Sequence, residues 1–123
     1  MPGLKVMLVD DSALIRELVR IVLEDGGNAV VAEARTGREA VAVAERHQPD
    51  VVILDLSMPE MDGLEALPEI RRVAPDTQVV VLTGFDNPGL AAHALELGAS
   101  RYLVKGAAPA EIVTAVEEAA AAA

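Results

Sequence analysis

The sequence predicts an α/β fold of the (βα)5 kind, a five-stranded parallel sheet with helices on both faces. Short runs of Val, Leu and Ile alternate five times with longer stretches of helical period. The connections between them are short, which favours a parallel sheet covered on both sides. The third apolar run, DVVIL, is apolar on both faces, as a central parallel strand should be.

The elements follow in order. Leu4 to Val9 forms the first strand. From Ser12 to Asp25, Leu14, Leu18 and Val22, with Ile15, Val19 and Leu23 beside them, give one wide helical face, stopped by Gly26-Gly27. Ala29 to Ala34 is the second strand. Thr36-Gly37-Arg38-Glu39 matches a capping box, in which the Thr and Glu side chains satisfy free amides reciprocally, and the helix it opens runs to about Arg46. Asp50 to Leu54 is the third strand. The loop LSMPEMDG leads to a helix over Leu64 to Val73. Gln78 to Leu82 is the fourth strand. Asn87-Pro88 supplies an N-cap and a first-turn proline for a helix ending at Gly98. Arg101 to Val104 is the fifth strand, and a last helix starts near Pro109 and runs into the alanine tail. Crossovers are right-handed, and five strands suggest the flavodoxin-like order 2-1-3-4-5.

Composition limits the function classes. A chain of 123 residues suits one domain, 1-123, with no repeat or linker. Apolar residues make up 52% and aromatic ones 2%, so the core is aliphatic. The net charge of −10 repels bare nucleic acid and anionic membranes. The absence of cysteine excludes disulfides, thiol chemistry and zinc-thiolate sites. No apolar run has transmembrane length, and MPGLK lacks the features of a signal peptide, so a cytoplasmic location is expected.

Open α/β sheets bind ligands at the carboxyl ends of their strands. Asp10-Asp11 follows the first strand, Asp55 the third, Thr83 the fourth and Lys105 the fifth. In the order 2-1-3-4-5 these four strands are consecutive neighbours, so three carboxylates, a hydroxyl and an ammonium converge on one rim. Strand two ends in Ala34 and offers nothing. Singly, each residue has a plainer reading: helix-capping aspartates, a turn-forming loop acid, a strand-end hydroxyl, a solvated lysine. Together they leave an excess of negative charge that cannot all ionise unaided. A hard divalent cation such as Mg²⁺ resolves it, and commonly joins one or two carboxylates to a phosphate. Lysine and a hydroxyl add contacts for phosphate oxygens, and a carboxylate can itself accept a phosphoryl group.

The motifs VDDS, LDLSMPEMDG, VLTG and YLVK, taken as a set, resemble those of the response-regulator receiver domains of two-component signalling, over essentially the whole chain. The resemblance implies that Asp55 accepts a phosphoryl group from the phosphohistidine of a sensor histidine kinase. It implies metal binding by Asp10, Asp11, Asp55 and the backbone carbonyl of Ser57, with Mg²⁺ as the ion and Mn²⁺ as an alternative. Lys105 then binds phosphate, Thr83 is the switch hydroxyl, and Tyr102 is the aromatic that turns inward with it. Ser57 and Phe85 occupy the positions that tune dephosphorylation, and the Phe85 ring suggests a slow one. Such a chain is not an enzyme beyond its own phosphorylation and slow autodephosphorylation. Strand five, GASRYLVKGA, is most similar to receivers of NarL/LuxR-type DNA-binding regulators, which implies transcriptional control through an output domain or a downstream partner. No output domain is expected within these residues, and none of them is expected to bind nucleic acid or membrane. An excised receiver, a stand-alone one, and a homodimer formed on phosphorylation all stay open.

Two departures from the family pattern carry expectations. Gly106 stands where the family often has a proline after the lysine, so a trans or looser peptide is expected there. Pro68 falls inside the third helix and predicts an irregular first turn at residues 64 to 67. Three rivals fit less well. An aspartyl-phosphate hydrolase needs a second acid two residues past Asp55, where Ser57 stands. A flavodoxin-type phosphate loop needs small residues where DDSALI stands. A pseudo-receiver typically lacks a key residue, and this chain has all five. His47, His93, Met58 and Met61 receive no role, the methionines being read as packing residues.

Overall fold

The structure is a computed structural model that describes residues 3–58 and 61–122. Residues 59 and 60 of the predicted loop after the third strand lie outside the described residues, as does the end of the alanine tail. The chain runs β1 (Lys5–Val9), α1 (Ala13–Asp25), β2 (Ala29–Ala34), α2 (Gly37–His47), β3 (Val51–Leu54), α3 (Gly63–Val73), β4 (Gln78–Thr83), α4 (Pro88–Glu96), β5 (Arg101–Val104) and α5 (Pro109–Ala121). The strands form one parallel sheet in the order β2-β1-β3-β4-β5, as the alternation predicted.

Period-two alternation divides the core between two faces. Met7, Val9, Val52, Leu54, Val79 and Val81 point to one side and meet Ala40 and Ala44 of α2, Leu67 and Ile70 of α3 and Ala94 of α4. Val6, Leu8, Val51, Ile53, Val80 and Leu82 point to the other and meet Val19 and Leu23 of α1 and Ile112 and Val116 of α5. Leu23 is fully buried, a burial that contributes on the order of 1.5–3 kcal/mol. α2 and α4 meet this face through the small side chains of Ala40, Ala44 and Ala94, and α3 through the larger Leu67 and Ile70.

Local signals account for most helix starts. Ser12 caps α1 by accepting from the Ile15 amide at 3.3 Å, and Asn87 caps α4 by accepting from the Leu90 amide at 3.0 Å. Thr36 caps α2 through the Glu39 amide at 3.0 Å, but the reciprocal half differs from the expected box. The Glu39 carboxylate accepts from the Arg35 amide at 3.3 Å, one residue before the cap. The complete box belongs to α3, where Asp62 accepts from the Glu65 amide at 2.9 Å and Glu65 accepts from the Asp62 amide at 3.4 Å. That clamp corrects the expectation of an irregular turn at residues 64 to 67. Pro68 sits inside a continuous helix, because it removes only the bond to the Leu64 carbonyl while the capped first turn stays fixed.

Smaller differences have equally local causes. Asp50 lies just outside β3, where its carboxylate accepts from the Lys5 amide at 2.8 Å. Thr83 is the last residue of β4 rather than the first beyond it. The wide apolar face of α1 is only half used: Val19 and Leu23 are buried, while Leu14, Leu18 and Ile21 are more than half exposed. Met58 and Met61 pack against the core, as read from the sequence.

Candidate functional site

The carboxyl rim is built by extending the sheet ladder one residue past each strand. The Asp10 amide donates to the Ala34 carbonyl at 3.1 Å, the Asp55 amide to the Val9 carbonyl at 2.9 Å, and the Lys105 amide to the Thr83 carbonyl at 2.6 Å. Each functional side chain therefore hangs from backbone that the neighbouring strand holds in place. Strand order does the rest, bringing β1, β3, β4 and β5 side by side.

Oxygen atoms of Asp10, Asp11 and Asp55 all lie within 4.8 Å of one another. Asp10 and Asp55 are buried and Asp11 is exposed. Lys105 Nζ reaches between the two buried acids, 2.9 Å from Asp10 Oδ2 and 3.3 Å from Asp55 Oδ2. Asp10 Oδ1 also accepts from the Ser12 amide at 2.9 Å, and Asp55 Oδ1 from the Ser57 amide at 3.4 Å. The plainer reading of the aspartates as helix caps thus holds only in part: Ser12 is the cap, and Asp10 braces the turn before it.

The electrostatics follow from this crowding. Burial, and then the Asp10 charge, push the Asp55 carboxyl above the usual aspartate range, and Lys105 offsets only part of that. Burial opposes the Lys105 charge, but its hydrogen bond to Asp10 and the fields of both acids outweigh it and hold the ammonium above its ordinary pKa. Three carboxylates meet there and one lysine pairs with two of them, and a donor set made only of oxygen suits a hard divalent cation such as Mg²⁺. The three acids are positioned to hold one.

Thr83 is fully buried and its Oγ1 finds no hydrogen-bond partner among the described residues. On the edge strand, Tyr102 is half-buried, its ring packed on the core and its hydroxyl donating to the Phe85 carbonyl at 2.5 Å. Burial, and then the Asp86 charge, raise its phenol pKa. Phe85 itself is half exposed and lines a cavity of about 280 Å³ with Leu56, Ser57, Met58, Asp62, Leu64 and Leu90.

Two glycines shape the rim. A Cβ on Gly63 would stand 2.4 Å from the Asp55 carbonyl oxygen, so only glycine lets α3 start this close to the end of β3. Gly106 has φ +104° after a trans peptide, the described residues containing no cis bond, and a Cβ there would meet nothing within 4 Å. His47 and His93 lie on α2 and α4 and take no part in the acid cluster. One neighbour of the site escaped the sequence reading. Arg16 Nη1 donates to the Asp10 carbonyl at 2.6 Å while its Nε pairs with Glu33 at 2.7 Å. Its spacing from Ser12 carried no signal, because its partners come from the residue after β1 and from β2.

Comparison with known proteins follows the same lines. The chain is 38% identical over 117 residues to the chemotaxis protein CheY of Listeria monocytogenes, covering 95% of this chain and 98% of that one. It is 42% identical over 115 residues to the transcriptional regulatory protein PdtaR of Mycobacterium tuberculosis, covering 92% of this chain but 55% of that one. Among solved structures, the signal receiver domain of the response regulator NarL from Mycobacterium tuberculosis superposes with a TM-score of 0.93 at 35% identity, over 100% of both chains. The family model of the response regulator receiver domain matches residues 6–117, and this chain belongs to that family.

Proposed function

We propose that Asp55 is the phosphoacceptor of this receiver, with a sensor histidine kinase as donor and Mg²⁺ held by Asp10, Asp11, Asp55 and the Ser57 carbonyl. Receivers are signalling phosphoacceptors rather than enzymes acting on a separate substrate. In the proposed step an Asp55 carboxylate oxygen attacks phosphorus, the P–N bond to the kinase histidine breaks, and its electron pair stays on the imidazole. Mg²⁺ supplies charge neutralisation for the incoming phosphoryl oxygens; Mn²⁺, another oxygen-seeking divalent ion, is its alternative. Lys105, already between Asp10 and Asp55, binds a phosphoryl oxygen as the acyl phosphate forms. Thr83, with its donor unused, takes another. Tyr102 follows through its bond to the Phe85 carbonyl and carries the change to the surface of α4, β5 and α5.

The observation that carries this reading is the convergence of Asp10, Asp11 and Asp55 within 4.8 Å, with one lysine shared between two of them. An excess of acid over base at a buried rim is unfavourable without a cation, and no plainer role of the separate residues accounts for the cluster. Residues 1-123 then act as one receiver unit in the cytoplasm, controlling transcription through an output domain or a partner. A homodimer formed on phosphorylation belongs to the same reading, as does slow autodephosphorylation tuned by Ser57 and Phe85.

The test is intact mass after incubation with a small phosphodonor and Mg²⁺. Wild type gains one phosphoryl group, and the gain disappears with EDTA and in Asp55→Asn. A folded wild type that gains nothing refutes the assignment.

A further inference from the structure

We infer that Arg16 is a positioning residue for the cation site: its guanidinium, anchored on Glu33, fixes the peptide plane between Asp10 and Asp11 and so aims the Asp11 carboxylate. The inference rests on the proposed metal-dependent phosphorylation and goes beyond it, since Arg16 touches neither metal nor phosphate.

The geometry is specific. The Asp10–Asp11 peptide connects the buried acid to the exposed one, and its orientation sets where Asp11 points. On its amino side, the Asp10 amide is already tied to the Ala34 carbonyl at 3.1 Å. Its own carbonyl accepts from Arg16 Nη1 at 2.6 Å, so the peptide that leads into Asp11 is held as well. The Arg16 side chain is only 13% exposed and cannot swing freely. Its Nε is fastened to Glu33 at 2.7 Å, and Glu33 sits in β2, in register with Leu8 of β1. Glu33 is also paired with Arg20, one turn further along α1. Burial pushes the Glu33 carboxyl up, but the hydrogen bonds from Arg20 and Arg16 outweigh it and hold it below the usual range, so the anchor is charged at neutral pH. An arginine is required for this double grip. Its fork donates in two directions at once, whereas a lysine is a single point charge.

The sign of the effect separates positioning from simple electrostatics. A guanidinium beside a cation site repels the cation, so its removal, judged by charge alone, tightens Mg²⁺ binding. If Arg16 positions Asp11, its removal loosens Mg²⁺ binding. A residue that merely fastens α1 to β2 does neither: it lowers the melting temperature and leaves the affinity of the folded protein unchanged.

The experiment is a Mg²⁺ titration of wild type, Arg16→Met and Arg16→Lys, followed by backbone amide chemical shifts. The expected result is a dissociation constant about tenfold higher in Arg16→Met, the lower end of what loss of an outer-shell partner costs. Arg16→Lys, which can hold the carbonyl or Glu33 but not both, falls between. In the metal-free spectra the Asp11 and Ser12 amides shift in both variants. A folded Arg16→Met that binds Mg²⁺ as well as wild type, or better, overturns the inference. If Arg16→Met does not fold, an Arg16→Lys titration identical to wild type overturns it. Wild type that binds no Mg²⁺ removes the functional reading together with this inference. Wild type that binds and is phosphorylated, beside an unaffected Arg16→Met, removes this inference alone.

Discussion

Replacing Gly63 by alanine tests how tightly α3 is seated on the end of β3. The added Cβ would lie 2.4 Å from the Asp55 carbonyl oxygen, 2.6 Å from Leu56 Cα and 2.9 Å from Leu56 Cδ2. Ordinary contact begins at 3.4 Å, and two of the three atoms are backbone, so the strand end and the helix start must separate by about 1 Å. Overpacking of this kind costs about 1–3 kcal/mol. Alanine recovers up to about 1 kcal/mol of helix propensity, less at a first helical position. The net loss is about 1–2 kcal/mol, or a melting temperature lower by about 4–8 °C for a domain of this size. The displacement falls on Asp55 itself, so the phosphorylation rate with a small phosphodonor falls as well. Gly84→Ala is the control, because a Cβ there meets nothing within 4 Å. Its backbone lies outside the left-handed region, so the change should be neutral or stabilise by about 0.4–1 kcal/mol. Thermal melts by circular dichroism in EDTA at neutral pH read both. A Gly63→Ala protein that melts at or above wild type and is phosphorylated as fast would refute the close-seating argument.

Two further predictions concern the rim. Folding raises the Asp55 pKa, so the native state holds that proton more tightly than the unfolded chain does. The resulting stability is present below the ordinary aspartate range and is lost as pH rises through the raised value. Above that value and without metal the ionised Asp55 is therefore a burden, and Asp55→Asn should melt above wild type in EDTA. Added Mg²⁺ stabilises wild type selectively and narrows or reverses that gap; equal melting in EDTA across pH 3 to 8 would contradict the assigned strain. Phe85→Ala should shorten the phosphoryl lifetime several-fold, since the ring lines a cavity together with Ser57, and an unchanged decay of the phosphorylated mass would dismiss the shielding role.

The sheet was legible because its central strands are apolar on both faces and its connections short. The rim was legible because polar residues stand directly after apolar runs in four neighbouring strands. What the sequence hid was long-range or a matter of degree. Arg16 and Glu33 are 17 residues apart, and a charged residue on a helix reads as solvated until the strand it faces is known. The apolar face of α1 looked uniform, yet the sheet covers only the stripe through Val19 and Leu23 and leaves Leu14 and Leu18 outside. Hydrophobicity marks what can be buried, not which part of it the neighbours reach. Pro68 is a related case: the Asp62 and Glu65 box, three residues apart in the sequence, steadies the turn that the proline alone would loosen.

The unused hydroxyl of Thr83 sets where the molecule starts on its energy surface. A buried donor without a partner costs about 1–3 kcal/mol, and folding has already absorbed that penalty. An acceptor oxygen arriving at the rim meets a group stripped of water in advance. It recovers the strength of a dry hydrogen bond with no dehydration left to perform on the protein side. Under the switch role proposed for Thr83, that energy corresponds to a factor of about 5 to 150 in favour of a state in which the hydroxyl is paired. In that proposal, a modest chemical event at the rim tips a balance that the unpaired hydroxyl already biases.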